Sequence, residues 1–129
     1  MPYNPLTAAE RQVIEFRGTE PPFRGEYDDF FAPGVYVCRR CNAPLFLAQS
    51  KFAAGCGWPA FDDHYPEAVR RLPDPDGHRV EIRCAHCDGH LGHVFEGEGF
   101  TPRNIRYCVN SLSIRFIPEG QSLPSVLEE

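Results

Sequence analysis

Apolar positions along the chain come in short bursts, not sustained stripes. Val35-Tyr36-Val37-Cys38 and Leu45-Phe46-Leu47 are continuous apolar runs, and Val80-Glu81-Ile82-Arg83-Cys84 alternates apolar with charged side chains, the period of a strand that buries one face. Val94-Phe95 is a shorter burst, and Arg106 to Ile117 is the longest strand-like run. A helical pattern occurs near the start. Thr7-Ala8-Ala9-Glu10 has the form of a capping box, with Val13, Ile14 and Phe16 as a partial stripe before Gly18, which predicts one short helix over about residues 8–16. From Thr19 to Pro33 the chain is rich in Pro, Gly and acidic residues, with Phe23, Phe30 and Phe31 spaced irregularly. This reads as an ordered loop pinned by its aromatics. Gly55 to Pro59 is a tight loop, and Asp74 to Gly77 has the composition of a turn. The pattern predicts a mainly β fold with a short N-terminal helix.

Composition narrows this further. A chain of 129 residues has the length of one domain, taken here as 1–129. Thirteen Pro and eleven Gly without a repeat period argue against a helical bundle. Lys plus Arg number 13 against 18 Asp plus Glu, a net charge of −5, the wrong sign for holding nucleic acid by phosphate neutralisation. No basic stretch leads into an apolar run, and no apolar segment nears the roughly 20 residues of a bilayer span. The expectation is a soluble cytoplasmic protein, monomeric by default, with neither nucleic acid nor membrane as partner.

Six cysteines without an export signal point to metal ligands or reactive thiols. Cys38-Arg39-Arg40-Cys41 and Cys84-Ala85-His86-Cys87 are two Cys-x-x-Cys units, each at the end of a strand-like run. Two thiolates on one knuckle take adjacent corners of a tetrahedron, and two knuckles close a four-sulfur structural zinc site. His86 is then a bystander. Such a site fits a zinc-ribbon binding module as well as an enzyme.

Cys56 and Cys108 fall outside that set. Strand periodicity puts Arg106, Cys108, Asn110, Leu112, Ile114 and Phe116 on one face, and a guanidinium beside a thiol favours the attacking thiolate. Asn110 is placed to donate to, or orient, a bound group. Taken alone, Cys108 is more commonly an inert, half-buried strand residue. The companion loop Gly55-Cys56-Gly57-Trp58-Pro59 adds an accessible second thiol and the only Trp of the chain, which together suggest redox chemistry on a small apolar group. His90-Leu91-Gly92-His93 adds two imidazoles suited to proton transfer. Residues three apart on a regular strand face opposite sides, so both serve one site only if Gly92 marks a bulge or turn.

Gly18-Thr19-Glu20-Pro21-Pro22-Phe23, Cys56-Gly57-Trp58-Pro59-Ala60-Phe61, His90-Leu91-Gly92-His93-Val94-Phe95 and Arg106-Tyr107-Cys108-Val109-Asn110-Ser111 resemble the B-type methionine sulfoxide reductases, over about Leu6 to Pro118. The resemblance implies a compact fold of coiled antiparallel sheets and reduction of the R epimer of methionine sulfoxide, in proteins or peptides and also free. It further implies that Cys108 is the attacking thiolate, Cys56 a resolving thiol found in only some members, and Trp58 a wall against the substrate methyl. Arg106, His90, His93 and Asn110 then form the polar shell around the sulfoxide. Ala60 stands where many members have Ser, and Gly89 where many have Ala. The implied cycle runs through a Cys108 sulfenic acid and a Cys56–Cys108 disulfide recycled by a dithiol such as thioredoxin. Two other readings share these residues: a zinc-ribbon module without catalysis, and a thiol redox sensor. The segment from Glu119 carries no readable signal.

Overall fold

A computed structural model describes residues 2–129. Among these residues the chain forms one α-helix, α1 (Ala8–Ile14), and nine strands: β1 (Gly34–Cys38), β2 (Pro44–Leu47), β3 (Lys51–Phe52), β4 (Ala60–Phe61), β5 (Val69–Pro73), β6 (Val80–Cys84), β7 (His90–Glu96), β8 (Ile105–Val109) and β9 (Ile114–Pro118). The helix starts as its sequence dictates. Thr7 Oγ1 accepts from the Glu10 N–H at 3.1 Å and the Glu10 carboxylate accepts from the Thr7 N–H at 2.9 Å, the reciprocal capping box. It ends at Ile14, earlier than the apolar stripe predicts. Arg17 adopts a left-handed φ of 58°, and the Gly18 N–H closes back onto the Gln12 carbonyl, leaving Phe16 in solvent.

The strands form two sheets, β2-β1-β9 and β3-β4-β8-β7-β6-β5, with every pairing antiparallel. The long run Arg106–Ile117 is therefore two strands, not one. After β8 the Asn110 N–H bonds to the Leu91 carbonyl, a short 3-10 turn at Ser111–Ser113 redirects the chain, and β9 joins the other sheet. The single face expected from Arg106 to Phe116 splits accordingly: Arg106 and Cys108 stay on the large sheet, while Ile114 and Phe116 belong to the small one. Between the sheets lies an aromatic core. Phe46 of β2 stacks on Phe61 of β4 with ring centroids 4.4 Å apart, and Tyr36 of β1 meets Phe61 edge-on at 5.2 Å. Burying each such ring contributes about 1.5–3 kcal/mol. The Thr19–Pro33 loop is pinned by Tyr27 and Phe30, whose rings pack on Tyr36 and Phe116, whereas Phe23 and Phe31 face solvent.

One irregularity governs the cleft face of the large sheet. Along β6 and β7, Ile82 pairs with Gly92 but Arg83 pairs with His90, so one extra residue, Leu91, is inserted into β7. Glu81 and Arg83 share a face of β6, and their partners His93 and His90 therefore share it too. This is the bulge that the two histidines require. Gly92 itself is fixed by a close approach of strands: a Cβ there would lie 1.9 Å from the Cys108 carbonyl oxygen.

Gly92→Ala should therefore push β7 away from β8 at Cys108, at a cost of about 1–3 kcal/mol. Thermal unfolding of the variant against the parent protein checks this, and an unchanged midpoint would contradict the close approach.

Candidate active site

The two Cys-x-x-Cys units fold alike. In the first, the Asn42 N–H bonds to the Cys38 carbonyl and the Cys38 N–H to the Ala43 carbonyl; in the second, Asp88 N–H bonds to Cys84 and Cys84 N–H to Gly89. Asn42 and Asp88 close the two turns with left-handed φ of 69° and 67°, a conformation their short polar side chains tolerate. The first knuckle leaves β1 of the small sheet and the second leaves β6 of the large one. All four thiols are buried, and their Sγ atoms lie within 4.8 Å of one another. Across the knuckles Cys38 to Cys87 and Cys41 to Cys84 are each 3.6 Å. A tetrahedron with metal–sulfur bonds of about 2.3 Å has edges of about 3.8 Å, so the set fits a four-coordinate metal ion and is too wide for disulfides. Arg40 Nε donates to Cys87 Sγ at 3.4 Å, and the Leu127 N–H donates to the Cys41 carbonyl at 2.8 Å, so the segment beyond Glu119 packs on the joint.

On the other part of the large sheet an open cleft of about 140 Å³ is lined by Thr19, Cys56, Trp58, Arg79, His93, Phe95, Arg106, Cys108 and Asn110, among others. Cys108 sits in a central strand, in register with Ala60 of β4 and His93 of β7. Directly opposed residues carry Cβ atoms about 4.5–5.5 Å apart on one face, so His93 stands beside Cys108. The Gly55–Pro59 loop brings Cys56 and Trp58 over this face, with Gly55 at φ 69° and Gly57 at φ 95°. The Trp58 indole N–H donates to the Glu20 carbonyl at 2.9 Å, which fixes the ring as a wall. Asn110 is a bracket: its side-chain oxygen accepts from the Glu20 N–H at 3.0 Å and its amide donates to the Leu91 carbonyl at 3.0 Å. Arg106 is held by two bonds to Glu98, at 2.8 and 3.2 Å, and lies 4.4 Å over the Phe95 ring.

The two cleft thiols titrate as a pair. The Cys56 thiol is lowered to about 6, first by a hydrogen bond from Cys108 and further by Arg106. Cys108 is raised by the same bond and by burial, with Arg106 opposing. Cys56 Sγ also lies 3.3 Å from the Trp58 carbonyl, a contact that favours its protonated form. A charge-assisted bond beside a guanidinium outweighs a weak neutral S–H donor, so the pair gives up one proton below the ordinary thiol range. The pair therefore holds one anion between its two sulfurs, beside the Arg106 guanidinium.

The two histidines differ. The His90 ring is buried, is absent from the cleft lining, and lies 2.8 Å through Nδ1 from Glu81, whose carboxylate Arg83 also holds at 2.9 and 3.2 Å. Burial lowers its pKa, so neutral His90 donates from Nδ1 to Glu81. His93 lines the cleft, with its Nε2 2.7 Å from Asp74 Oδ2. Glu81, Asp74, Thr19 and Arg79 were not singled out in the sequence. Glu81 was visible as a charge inside an alternating strand, and Thr19 within a quoted motif, whereas Asp74 reads only as a turn residue.

The fold and site define a β-sheet protein with a four-cysteine metal joint and a dithiol cleft. Residues 6–118 match the SelR domain. The chain is 54% identical over 117 residues to peptide methionine sulfoxide reductase B3, chloroplastic, of Oryza sativa subsp. japonica, spanning 90% of this chain and 51% of that protein. It is 52% identical over 119 residues to peptide methionine sulfoxide reductase B2, chloroplastic, of Arabidopsis thaliana, spanning 92% and 59%. To peptide methionine sulfoxide reductase B5 of Oryza sativa subsp. japonica it is 54% identical over 114 residues, spanning 88% and 84%. The chain thus covers only about half to three fifths of the two chloroplastic relatives. It belongs to the SelR-domain family of B-type peptide methionine sulfoxide reductases. The cytoplasmic expectation is corrected here: relatives this similar include chloroplastic proteins, so the sequence features read as cytoplasmic do not assign a compartment. No helix among the described residues is long and apolar enough to cross a membrane.

Alkylation of the cleft thiols should rise with pH through a midpoint of about 6, below the roughly 8.5 of an ordinary thiol. Arg106→Ala should move that midpoint up, because losing a positive charge disfavours the anion on either sulfur. Iodoacetamide rates across pH test this. An identical midpoint in both proteins would confine Arg106 to its packing with Glu98 and Phe95.

Proposed function

We propose that this chain reduces the R epimer of methionine sulfoxide, carried in oxidised proteins or peptides or free, to methionine. The observation that carries the reading is the convergence of Cys108, Cys56, Trp58, His93 and Arg106 on one open cleft. The sulfoxide sulfur meets Cys108 with its methyl against the Trp58 wall. Cys108 attacks as the thiolate, its charge favoured by the Arg106 guanidinium, and the sulfoxide oxygen takes up a proton from His93. The oxygen ends on Cys108 as a sulfenic acid, and methionine leaves reduced by two electrons. The Cys56 thiol then attacks that sulfenic sulfur, forming a Cys56–Cys108 disulfide and releasing water. An external dithiol, thioredoxin by class, restores both thiols by exchange and is itself oxidised.

The metal joint is assigned zinc, because four thiolates at tetrahedral spacing match its preferred donors, with Cys38, Cys41, Cys84 and Cys87 closing the coordination sphere. A closed sphere leaves no open position, so the ion supplies structure and takes no part in the chemistry. The chain acts as a monomer in this scheme.

Two measurements test these assignments. Elemental analysis should find one zinc per chain, and Cys41→Ser should destabilise the fold by several kcal/mol or more, roughly, since metal binding and folding are one process. Folded, active protein without zinc would refute the assignment.

Incubation with racemic methionine sulfoxide and dithiothreitol should consume one epimer and leave the other; a binding module or a redox sensor consumes neither. Cys108→Ser should abolish the reaction, since a hydroxyl is a poor nucleophile there. Cys56→Ser should still release about one methionine per chain in a single turnover without reductant and leave a trappable sulfenic acid, because removing the neighbouring anion leaves Cys108 beside Arg106 alone. Its turnover with thioredoxin should fall sharply. A folded Cys56→Ser protein that releases no methionine would place Cys56 in the first chemical step.

A further inference from the structure

Each cleft-face histidine carries its own carboxylate, and the two pairs differ in where they sit. The His90–Glu81 pair is sealed, with both side chains 2% exposed and Arg83 on the same carboxylate. The His93–Asp74 pair lies at the cleft wall, with side chains 11% and 15% exposed. Asp74 follows β5 and opens the turn leading into β6, closed by its own backbone bonds to Arg79 and Gly77. Its second carboxylate oxygen accepts from the Asp76 N–H at 2.9 Å, so both oxygens are engaged and the carboxylate cannot swing away from His93. Those bonds, first the Asp76 N–H and then His93, hold Asp74 below the usual carboxylate range, so it is charged at neutral pH. His93 is in turn the cross-strand partner of Cys108.

The geometry points to Asp74 as the positioning residue for His93: by accepting from Nε2–H it fixes the tautomer and ring orientation and leaves Nδ1 as the atom that exchanges a proton with the sulfoxide oxygen. The inference rests on the proposed reduction, in which His93 supplies that proton. Asp74 touches neither substrate nor sulfur. Its effect passes through the imidazole, as a carboxylate does wherever it orients a histidine by one ring nitrogen and frees the other. The arrangement also divides the labour between the imidazoles. His90, neutral and walled off, holds the bulge to β6, and His93, beside Cys108, moves the proton. Other charged groups around His93 are Arg79 on the same turn, Glu81 across β6, Arg106 on β8 and the Cys56–Cys108 pair. Of these, Arg79 is itself tied to Asp76 at 2.7 Å.

The test uses the whole chain, racemic methionine sulfoxide and dithiothreitol. Asp74→Ala should lower kcat by roughly tenfold to a hundredfold, at or below the lower end of what a positioned acid contributes because the imidazole itself remains, with KM changed less than about twofold. Asp74→Asn keeps the shape and the turn but not the charge, and should also slow turnover. Combined with His93→Ala, Asp74→Ala should add no further loss, because two residues acting as one unit are not additive. A wild-type rate in either Asp74 variant, or an equal fractional loss in the His93→Ala background, would overturn the proposal. A readout independent of turnover separates this from the activity itself: nitrogen-15 NMR of the His93 ring should show Nε2 protonated in the parent protein and lose that preference in Asp74→Asn. An unchanged His93 tautomer overturns the positioning role even if the protein is active, whereas a wild-type protein that consumes neither epimer overturns the reductase reading alone.

Discussion

The four-cysteine joint is the constraint on which the rest of the molecule hangs. It ties the last residue of β1 to the last residue of β6, one from each sheet, in a core otherwise held by a few stacked rings. Four thiolates in one buried cluster repel strongly unless a cation sits among them, so the joint couples metal binding to the register of both sheets. The consequence for function is positional. The second knuckle hands directly into β7: Cys87 is followed by Asp88 in a left-handed turn, then Gly89, then His90 at the bulge. A Cβ at Gly89 would lie 2.9 Å from Ile14 Cγ2 and 3.3 Å from Cys87 Sγ, so the knuckle and α1 lie tight against the chain here. The start of the histidine strand is thus set by the geometry of the four-cysteine joint some way from the cleft.

From that anchored strand the electrostatics of the cleft follow. The bulge turns two histidines to one face, and the neighbouring strand and turn supply one carboxylate for each. Burial then separates their roles. Glu81 is fully buried yet stays below the ordinary carboxylate range, because the cost of desolvation is offset by Arg83 and by the His90 bond. A buried charge network of this kind holds geometry more than it stabilises. The thiols show the complementary case. Two adjacent sulfurs cannot both ionise cheaply, so they titrate in two steps that belong to the pair.

Much of this was legible in the chain. The capping box at Thr7 and Glu10, the Cys-x-x-Cys units, the alternating strand from Val80 to Cys84 and the glycine-flanked Cys56 each carry a local signal strong enough to survive folding. The requirement for a bulge near Gly92 was also readable, since two histidines three residues apart otherwise diverge. What failed depends on partners far along the chain. The run from Arg106 to Ile117 looks continuous because β8 and β9 are both rich in apolar residues, whereas the bond from Asn110 to Leu91 and the 3-10 turn at Ser111–Ser113 break it. Strands β3 and β4 are two residues long and exist only as pairing partners of a neighbour. Asp74 has the composition of a turn whether or not a histidine lies within reach, so its partner is invisible without the sheet.

The two thiols are placed for different mechanical tasks. Cys108 is flanked on both sides by paired strands, with Ala60 and His93 as its register neighbours, so its sulfur has a fixed aim at whatever enters the cleft. Cys56 rides a loop whose flanking glycines both adopt left-handed φ, and a Cβ at Gly55 would meet nothing within 4 Å. The Gly55 side of the loop is thus open, whereas a Cβ at Gly57 would lie 2.6 Å from Pro22 Cβ, so the Trp58 side is held against the Thr19–Pro33 loop. Trp58 follows two residues after Cys56 on the same loop, so a shift of Cys56 would also load the bond from the Trp58 indole N–H to the Glu20 carbonyl.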